Sequence, residues 1–313
     1  MLNIWRKRKA NFDLPTLKLG DMALVPIAQA HAPALFAIVE RDRAYLRQWQ
    51  NWPDNILTLD HMRELINISH SKTRQQSGYD MVIVYSGRVA GKIGVVAINN
   101  KAGYHEIGYW LGHGFQGRGL MTRATSLITS HAICQHDAAA VHIRCAAPNL
   151  RSRAIPERLG YRLAKIHTQY LWIHGEYYDD TIYVMRRKDW YRRLLYHLTT
   201  RDAWRDATER GVYRAPSLDT QGFIHASRWH QVQKVAAALY RGRRDMVLLC
   251  IDPLRLRASV RDEPPDPGVP AQHGDGELFP HIYGALNTSA VLKVMAMPAQ
   301  KDGTFRLPSE LTD

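Results

Sequence analysis

Cysteine is scarce: the 313 residues contain three, Cys134, Cys145 and Cys250, far apart, without a CxxC spacing and each among apolar neighbours. That excludes a disulfide scaffold and a thiolate metal site, and all three read as small buried side chains. Long apolar runs are missing as well. No stretch approaches the roughly 20 residues needed to cross a bilayer, so a membrane partner is not expected. The N-terminus, Met1-Leu2-Asn3-Ile4-Trp5-Arg6-Lys7-Arg8-Lys9, is basic but lacks an apolar run followed by a small-residue cleavage site; no secretory signal is expected, and a cytoplasmic location is. Internal repeats are absent, and only the Pro/Gly/Asp-rich stretch 262–276 approaches low complexity. Acidic residues are in deficit. The net charge is +13, and residues 1–190 hold 25 Lys and Arg against 15 Asp and Glu. Such a surplus suits an anionic partner, whether a phosphate-rich cofactor, RNA or a ribosome, and suits a solvated basic face equally; no RNA-binding motif accompanies it.

What is present fits two domains, the usual outcome for a chain of this length. Residues 30–47 and 60–69 carry apolar residues at helical spacing and flank the aromatic loop Trp49-Gln50-Asn51-Trp52-Pro53. Strands are expected at 80–85, 89–98 and 105–111, a long helix over 117–134, a strand at 141–146, a short helix at 150–159, and strands at 161–166 and 181–185. Pro156 inside the short helix implies that this helix begins late or is kinked. The charged stretch Arg186-Arg187-Lys188-Asp189-Trp190 ends the pattern, so domains are expected at 1–190 and 191–313. The second opens with a strand at 194–198 and continues with helices at 200–210 and 229–240 and strands at 246–251 and 290–297. Both belong to the α/β class: a mixed sheet flanked by helices, then a smaller α/β domain.

Gln116-Gly117-Arg118-Gly119 follows a strand and opens a helix. Backbone N–H groups and the positive end of the helix dipole can converge there on one anion, and glycines let phosphates approach the backbone. Alone, such a pair is equally a turn. The surrounding segments are more specific: Glu106-Ile107-Gly108-Tyr109-Trp110-Leu111, then Gln116-Gly117-Arg118-Gly119-Leu120-Met121-Thr122, Asn149-Leu150-Arg151-Ser152, Glu157-Arg158-Leu159-Gly160-Tyr161 and Gly175-Glu176-Tyr177-Tyr178-Asp179-Asp180. In this order they resemble the GNAT acetyltransferase superfamily, in particular the branch that acetylates ribosomal-protein N-termini. The loop departs from the family pattern at Gly114, where Gln or Arg is usual.

The resemblance implies acetyl-coenzyme A as cosubstrate, held by Trp110, Leu111, Gln116, Gly117, Arg118, Gly119, Leu120, Met121 and Asn149. It implies Glu106 as general base for a neutral amine and Ser152 as acid for the departing thiolate. Local alternatives stand beside each role: Glu106 as an exposed strand carboxylate, Trp110 as core, Asn149 and Ser152 as helix caps, Tyr161 as a second proton donor or as core. Tyr45, Trp49, Trp52 and Tyr178 are candidates for an aromatic groove around a protein N-terminus. Small amines (polyamine, antibiotic, amino acid) are the alternative acceptors, and a catalytically silent acetyl-coenzyme A sensor is the alternative outside enzymes.

In the second half, Tyr196-His197-Leu198-Thr199, Gly222-Phe223-Ile224-His225-Ala226-Ser227 and Glu277-Leu278-Phe279-Pro280-His281-Ile282-Tyr283-Gly284 set polar groups among apolar ones. These segments resemble the uncharacterised domain family numbered 952, whose implied kinship is to an ADP-ribosyltransferase-like fold that surrounds NAD. His197, His225, Ser227, Glu277 and His281 are therefore candidates for a site taking NAD or another nucleotide. They are also candidates for a hydrogen-bonded core, or for a metal if they converge.

Overall fold

The computed structural model describes residues 14–265 and 276–312; the basic run 1–9 and most of the 262–276 stretch lie outside the described residues. The chain divides into two compact units that part between Arg186 and Arg187.

The first unit runs β1 (Leu17–Leu19), β2 (Met22–Pro26), α1 (Ala32–Leu46), α2 (Leu59–Arg74), β3 (Tyr79–Tyr85), β4 (Arg88–Asn99), β5 (Tyr104–Leu111), α3 (Leu120–Gln135), β6 (Ala140–Ala146), α4 (Leu150–Arg158), β7 (Arg162–Ile173) and β8 (Glu176–Arg186). One eight-stranded sheet orders the strands β1-β2-β3-β4-β5-β6-β8-β7. Side chains of a strand alternate between faces, and β3 shows where each face goes. Val82 and Val84 pack with Leu35, Ile38, Met62 and Ile66 of α1 and α2, while Tyr79, on the opposite face, meets His131 of α3 at 3.2 Å. The sheet is thus sandwiched between α1/α2 and α3. Helix α3 is buried almost all round; two of its inward hydroxyls are satisfied within the helix, Thr129 donating to Thr125 O at 2.7 Å and Ser130 to Ser126 O at 2.9 Å, while Thr125 Oγ1 and Ser126 Oγ have no partner among the described residues. Thr58 caps α2, its hydroxyl accepting from His61 N at 3.2 Å.

The second unit runs α5 (Arg187–Tyr191), β9 (Leu195–Thr200), α6 (Arg201–Arg210), β10 (Val212–Tyr213), α7 (Pro216–Thr220), β11 (Ile224–His225), α8 (Val232–Leu239), β12 (Met246–Ile251), β13 (Ser259–Glu263), β14 (Phe279–Tyr283), β15 (Leu286–Asn287), β16 (Val291–Ala296) and α9 (Ser309–Thr312). Its strands form three small sheets, β16-β12-β9, β11-β14-β13 and β10-β15. Every residue of β12 is buried, as its unbroken apolar sequence requires. Leu195, Val247, Leu249, Ile251, Ile224, Ile282 and Leu286 share one core. The helix expected over 229–240 is shorter, because the Gln231 side chain turns back to accept from Arg228 N at 2.7 Å and closes a separate turn.

Candidate active site

Strands β5 and β6 are the one parallel pair in the large sheet, and their pairing runs only from Tyr104↔Ala140 to Ile107↔Ile143. Beyond it β5 continues to Leu111 and β6 to Ala146. The two strands therefore diverge into a V-shaped cleft. Gly112 N–H bonds to Ala90 O at 2.9 Å, so by antiparallel alternation the even-numbered residues of β5 bond to β4, and the backbone groups of Tyr109 and Leu111 turn toward the cleft. Trp110 N–H points the other way. The Trp110 side chain is buried with the α1/α2 core, 5.6 Å from the Trp52 ring.

At the end of the cleft the chain makes a turn at His113–Phe115 and enters α3 through Gln116–Gly119. Gly117 and Gly119 have φ of +71° and +68°, which explains why α3 starts at Leu120 and not at residue 117. A Cβ at either glycine would meet no protein atom within 4 Å. The requirement is for left-handed backbone, and the space above the loop is open for a ligand. Leu120 and Met121 side chains are buried, leaving only their backbone N–H groups for an anion. Gln116 Oε1 accepts from Arg151 Nη1 at 2.8 Å, tying the loop to α4. Arg118 is exposed beside the cradle.

Glu106 lies on the α1/α2 face, in register with His142. Arg144, two residues on, shares that face, as does Asp180, which pairs with Ala146. Asp180 is fully buried. Its Oδ2 accepts from Arg144 Nε at 2.8 Å and from Arg144 Nη2, while its Oδ1 has no partner. Glu106 makes no hydrogen bond to a described residue. Burial raises its pKa, the Arg144 charge opposes that, and Asp180 adds to it. Arg144 is not singled out in the sequence, and Asp180 stands there only as the last residue of the Gly175–Asp180 segment, without a role.

On the other face the Tyr109 hydroxyl donates to Ser152 O at 3.2 Å and lies 3.3 Å from Ser152 Oγ. Pro156 is the reason that carbonyl is available. Helix α4 neither begins late nor kinks: it starts at Leu150 and Pro156 sits near its end. Lacking an N–H, Pro156 leaves Ser152 O without its helical donor, and the tyrosine takes that place. Burial drives the Tyr109 pKa well above its usual value, so the hydroxyl keeps its proton. Asn149 caps α4, Oδ1 accepting from Ser152 N at 3.1 Å. Tyr161 is core, its hydroxyl on Thr129 Oγ1 at 2.5 Å.

The loop after α1 is fastened to the β7–β8 turn: Asn51 donates to Trp172 O at 2.8 Å and accepts from His174 N at 3.3 Å. Gln50 reaches Tyr109 O at 3.4 Å, and Trp49 packs edge-on against Tyr178 at 5.8 Å. Tyr45 instead packs on His113. Of the four candidate groove aromatics, Trp49 and Tyr178 meet each other and Trp52 joins the core.

In the second unit His197 is buried, with Nδ1 on His225 O at 2.6 Å and Nε2 on the Tyr213 hydroxyl at 2.9 Å. Burial lowers its pKa to about 4, so the ring is neutral and both nitrogens are used inside the protein. His225 and His281 are register partners on β11 and β14, their rings 5.3 Å apart. His281 Nδ1 donates to Glu263 at 2.9 Å, and Tyr283 donates to the same oxygen at 2.7 Å. Both hold the Glu263 pKa below the usual carboxylate range, Tyr283 the more strongly. Glu263 stands at the edge of the Pro/Asp-rich stretch and was passed over for that reason. Glu277 is held by Gln231 at 3.1 Å and Lys234 at 3.4 Å, and Ser227 uses its backbone to bridge Tyr196. The five candidates do not form one constellation. Among the described residues no three His, Cys, Asp or Glu side chains are arranged to hold a metal, and no helix is long and apolar enough to cross a membrane.

Comparison with known proteins covers both units. Residues 21–162 match the family model described as acetyltransferase (GNAT) domain, and residues 198–294 the model described as protein of unknown function (DUF952). The chain is 26% identical over 160 residues to the putative ribosomal N-acetyltransferase YdaF of Bacillus subtilis, covering 51% of this chain and 87% of that protein. It is 25% identical over 175 residues to the ribosomal-protein-serine acetyltransferase of Escherichia coli, covering 54% and 94%. Among solved structures, the ribosomal L7/L12 alpha-N-protein acetyltransferase RimL in complex with coenzyme A shares the fold with a TM-score of 0.54 at 24% identity, over 55% of this chain and 98% of that one. The microcin C7 self immunity acetyltransferase MccE, in complex with acetyl-CoA and AMP, does so with 0.52 at 23%, over 53% and 92%. The chain thus carries a GNAT acetyltransferase domain followed by a DUF952 domain.

Proposed function

We propose that the first unit transfers the acetyl group of acetyl-coenzyme A to a protein N-terminal amine, with a ribosomal protein as the acceptor class. The observation that carries this reading is the β5–β6 cleft, which has a carboxylate on one side, a hydroxyl pair on the other and a phosphate cradle at its end. The bound donor supplies an activated thioester carbonyl. Glu106, short of hydrogen bonds and raised in pKa by burial, takes the proton of the attacking amine. The Leu111 N–H, turned into the cleft, donates to the developing oxyanion. Ser152, coupled to the Tyr109 hydroxyl, returns a proton to the leaving sulfur. Gln116–Gly119 and the first amides of α3 hold the diphosphate. The names of both curated relatives support the ribosomal acceptor, as does the loop after α1, tied by Asn51 to Trp172 O and by Gln50 to Tyr109 O on the cleft strand, which gives an extended chain end a surface to lie on.

Release of free thiol in the presence of N-terminal peptides of ribosomal proteins, of small amines or of neither tests the reading. Turnover with peptides is the expected result. Turnover with small amines alone replaces the acceptor, and binding of acetyl-coenzyme A without turnover replaces the enzyme by a sensor.

A further inference from the structure

The departure at Gly114 opens onto a feature that the proton transfers at the thioester do not use. Gly114 lines a cavity of about 180 Å³ together with Arg41, Tyr85, Ser86, Arg88, Phe115 and Arg118. Two of its arginines are clasped reciprocally between the β3–β4 turn and the loop before α3. Arg88, from the turn, lies over the Phe115 ring at 5.7 Å, and Arg118, from the loop, lies over the Tyr85 ring at 6.0 Å. Neither pairs with a carboxylate among the described residues. Arg41 is held at Nε and Nη2 by Asp42, at 2.8 Å and 2.6 Å, and keeps Nη1 for another partner. Three guanidinium groups against one carboxylate leave an uncompensated double positive charge around a small space. A Cβ at Gly114 would meet no protein atom within 4 Å, so this residue stands against open space.

We propose that this cavity binds a phosphate monoester dianion. Its charge matches, and forked guanidinium donors suit phosphate oxygens. The cavity adjoins Gln116–Gly119, so the source to which the position points is the 3′-phosphate of coenzyme A, with the diphosphate in the adjoining cradle. In this form the inference rests on the donor reading above.

Calorimetric titration of the full chain with coenzyme A, with 3′-dephospho-coenzyme A and with inorganic phosphate decides it. The wild type is expected to bind coenzyme A about tenfold more tightly than the dephospho form, the scale of one charge-assisted contact. Arg88→Ala is expected to bring the two within about twofold while leaving the dephospho affinity unchanged. Arg88 is exposed, so its loss spares the fold. Gly114→Leu, which fills the cavity from a position without left-handed backbone, is expected to abolish the discrimination independently. Equal affinity for the two coenzymes, with inorganic phosphate binding in an Arg88-dependent way, supports the phosphate site and assigns it to a separate ligand. Equal affinity with no phosphate binding overturns the proposal. If neither coenzyme binds, the donor reading fails, and the phosphate titration alone judges the cavity.

Discussion

Polar residues gather in both units, and the two gatherings are built oppositely. In the first, the Glu106 side chain makes no hydrogen bond to a described residue, Asp180 keeps one oxygen without a partner among the described residues in a fully buried position, and a glycine loop stands open. In the second, His197 spends both ring nitrogens on the protein, and His281 and Tyr283 converge on one oxygen of Glu263. His281 Nε2 has no partner, but the ring is stacked on Phe223 at 4.0 Å and sealed from solvent. Unspent valences beside open space mark a place where a ligand completes the structure. Valences spent on neighbours mark a network that specifies a fold. By that criterion the first unit offers open valences to a ligand, whereas His197 in the second has none left to offer.

The comparison breaks most readily at Glu106. If its isolation serves proton removal, Glu106→Gln lowers kcat/KM for a peptide acceptor about a thousandfold and abolishes the acid limb of the pH profile. The base must be ionised to act, and its pKa is raised, so in the unmodified protein that limb lies above the range of an ordinary carboxylate. An unchanged profile in the variant would make Glu106 a strand carboxylate like any other. Gly117→Val comes next. Its Cβ has room, but φ of +71° disfavours a β-branched residue, and the amide cradle must change to accept it. Coenzyme A affinity is expected to fall about a hundredfold by calorimetry, with the unfolding transition little altered. Wild-type affinity would show that the phosphates lie elsewhere.

A third effect, smaller again, separates Arg144 from a merely structural ion pair. Arg144 is the influence that holds the Glu106 pKa down against burial. Arg144→Gln should therefore move the acid limb to higher pH, lowering the rate on that limb and leaving the plateau, where the base is ionised regardless, little changed. A structural defect alone would lower the whole profile without moving it.

Much of the first unit was legible because local chemistry agreed with the fold. The 30–47 periodicity became α1, the strands expected at 80–85 and 89–98 became the β3–β4 hairpin, and the order of Glu106, Gln116–Gly119 and Asn149 carried the resemblance. What stayed hidden depends on register. Nothing local says that Asp180 comes to lie across β6 from Glu106, since that takes the β5–β6 and β6–β8 pairings together. The role of Pro156 also inverted once Tyr109 was seen on the carbonyl it frees. In the second unit the polar segments were visible, but their partners were not. Tyr213 belongs to a two-residue strand and Glu263 to a stretch that reads as loop, and these residues take up ring nitrogens of His197 and His281 that the sequence leaves open.

The smallest expected effect tests that last distinction directly. The His197 pKa is lowered by burial from 6.5 to about 4. Below pH 6.5 the unfolded chain takes up a proton that the folded chain refuses, so stability is lost as pH falls from 6.5 toward 4, by about 3 kcal/mol over the whole interval. His197→Leu removes this titration. At pH 7 the variant should be less stable by about 1–3 kcal/mol, because the Tyr213 hydroxyl and His225 carbonyl lose a partner. The difference from wild type should then shrink as the pH approaches 4, with acetyl transfer unaffected. Denaturant unfolding of the full chain across this range measures both terms. Parallel curves for the two proteins would mean that His197 titrates as an exposed histidine does, and the second unit would then hold an open valence where a ligand belongs.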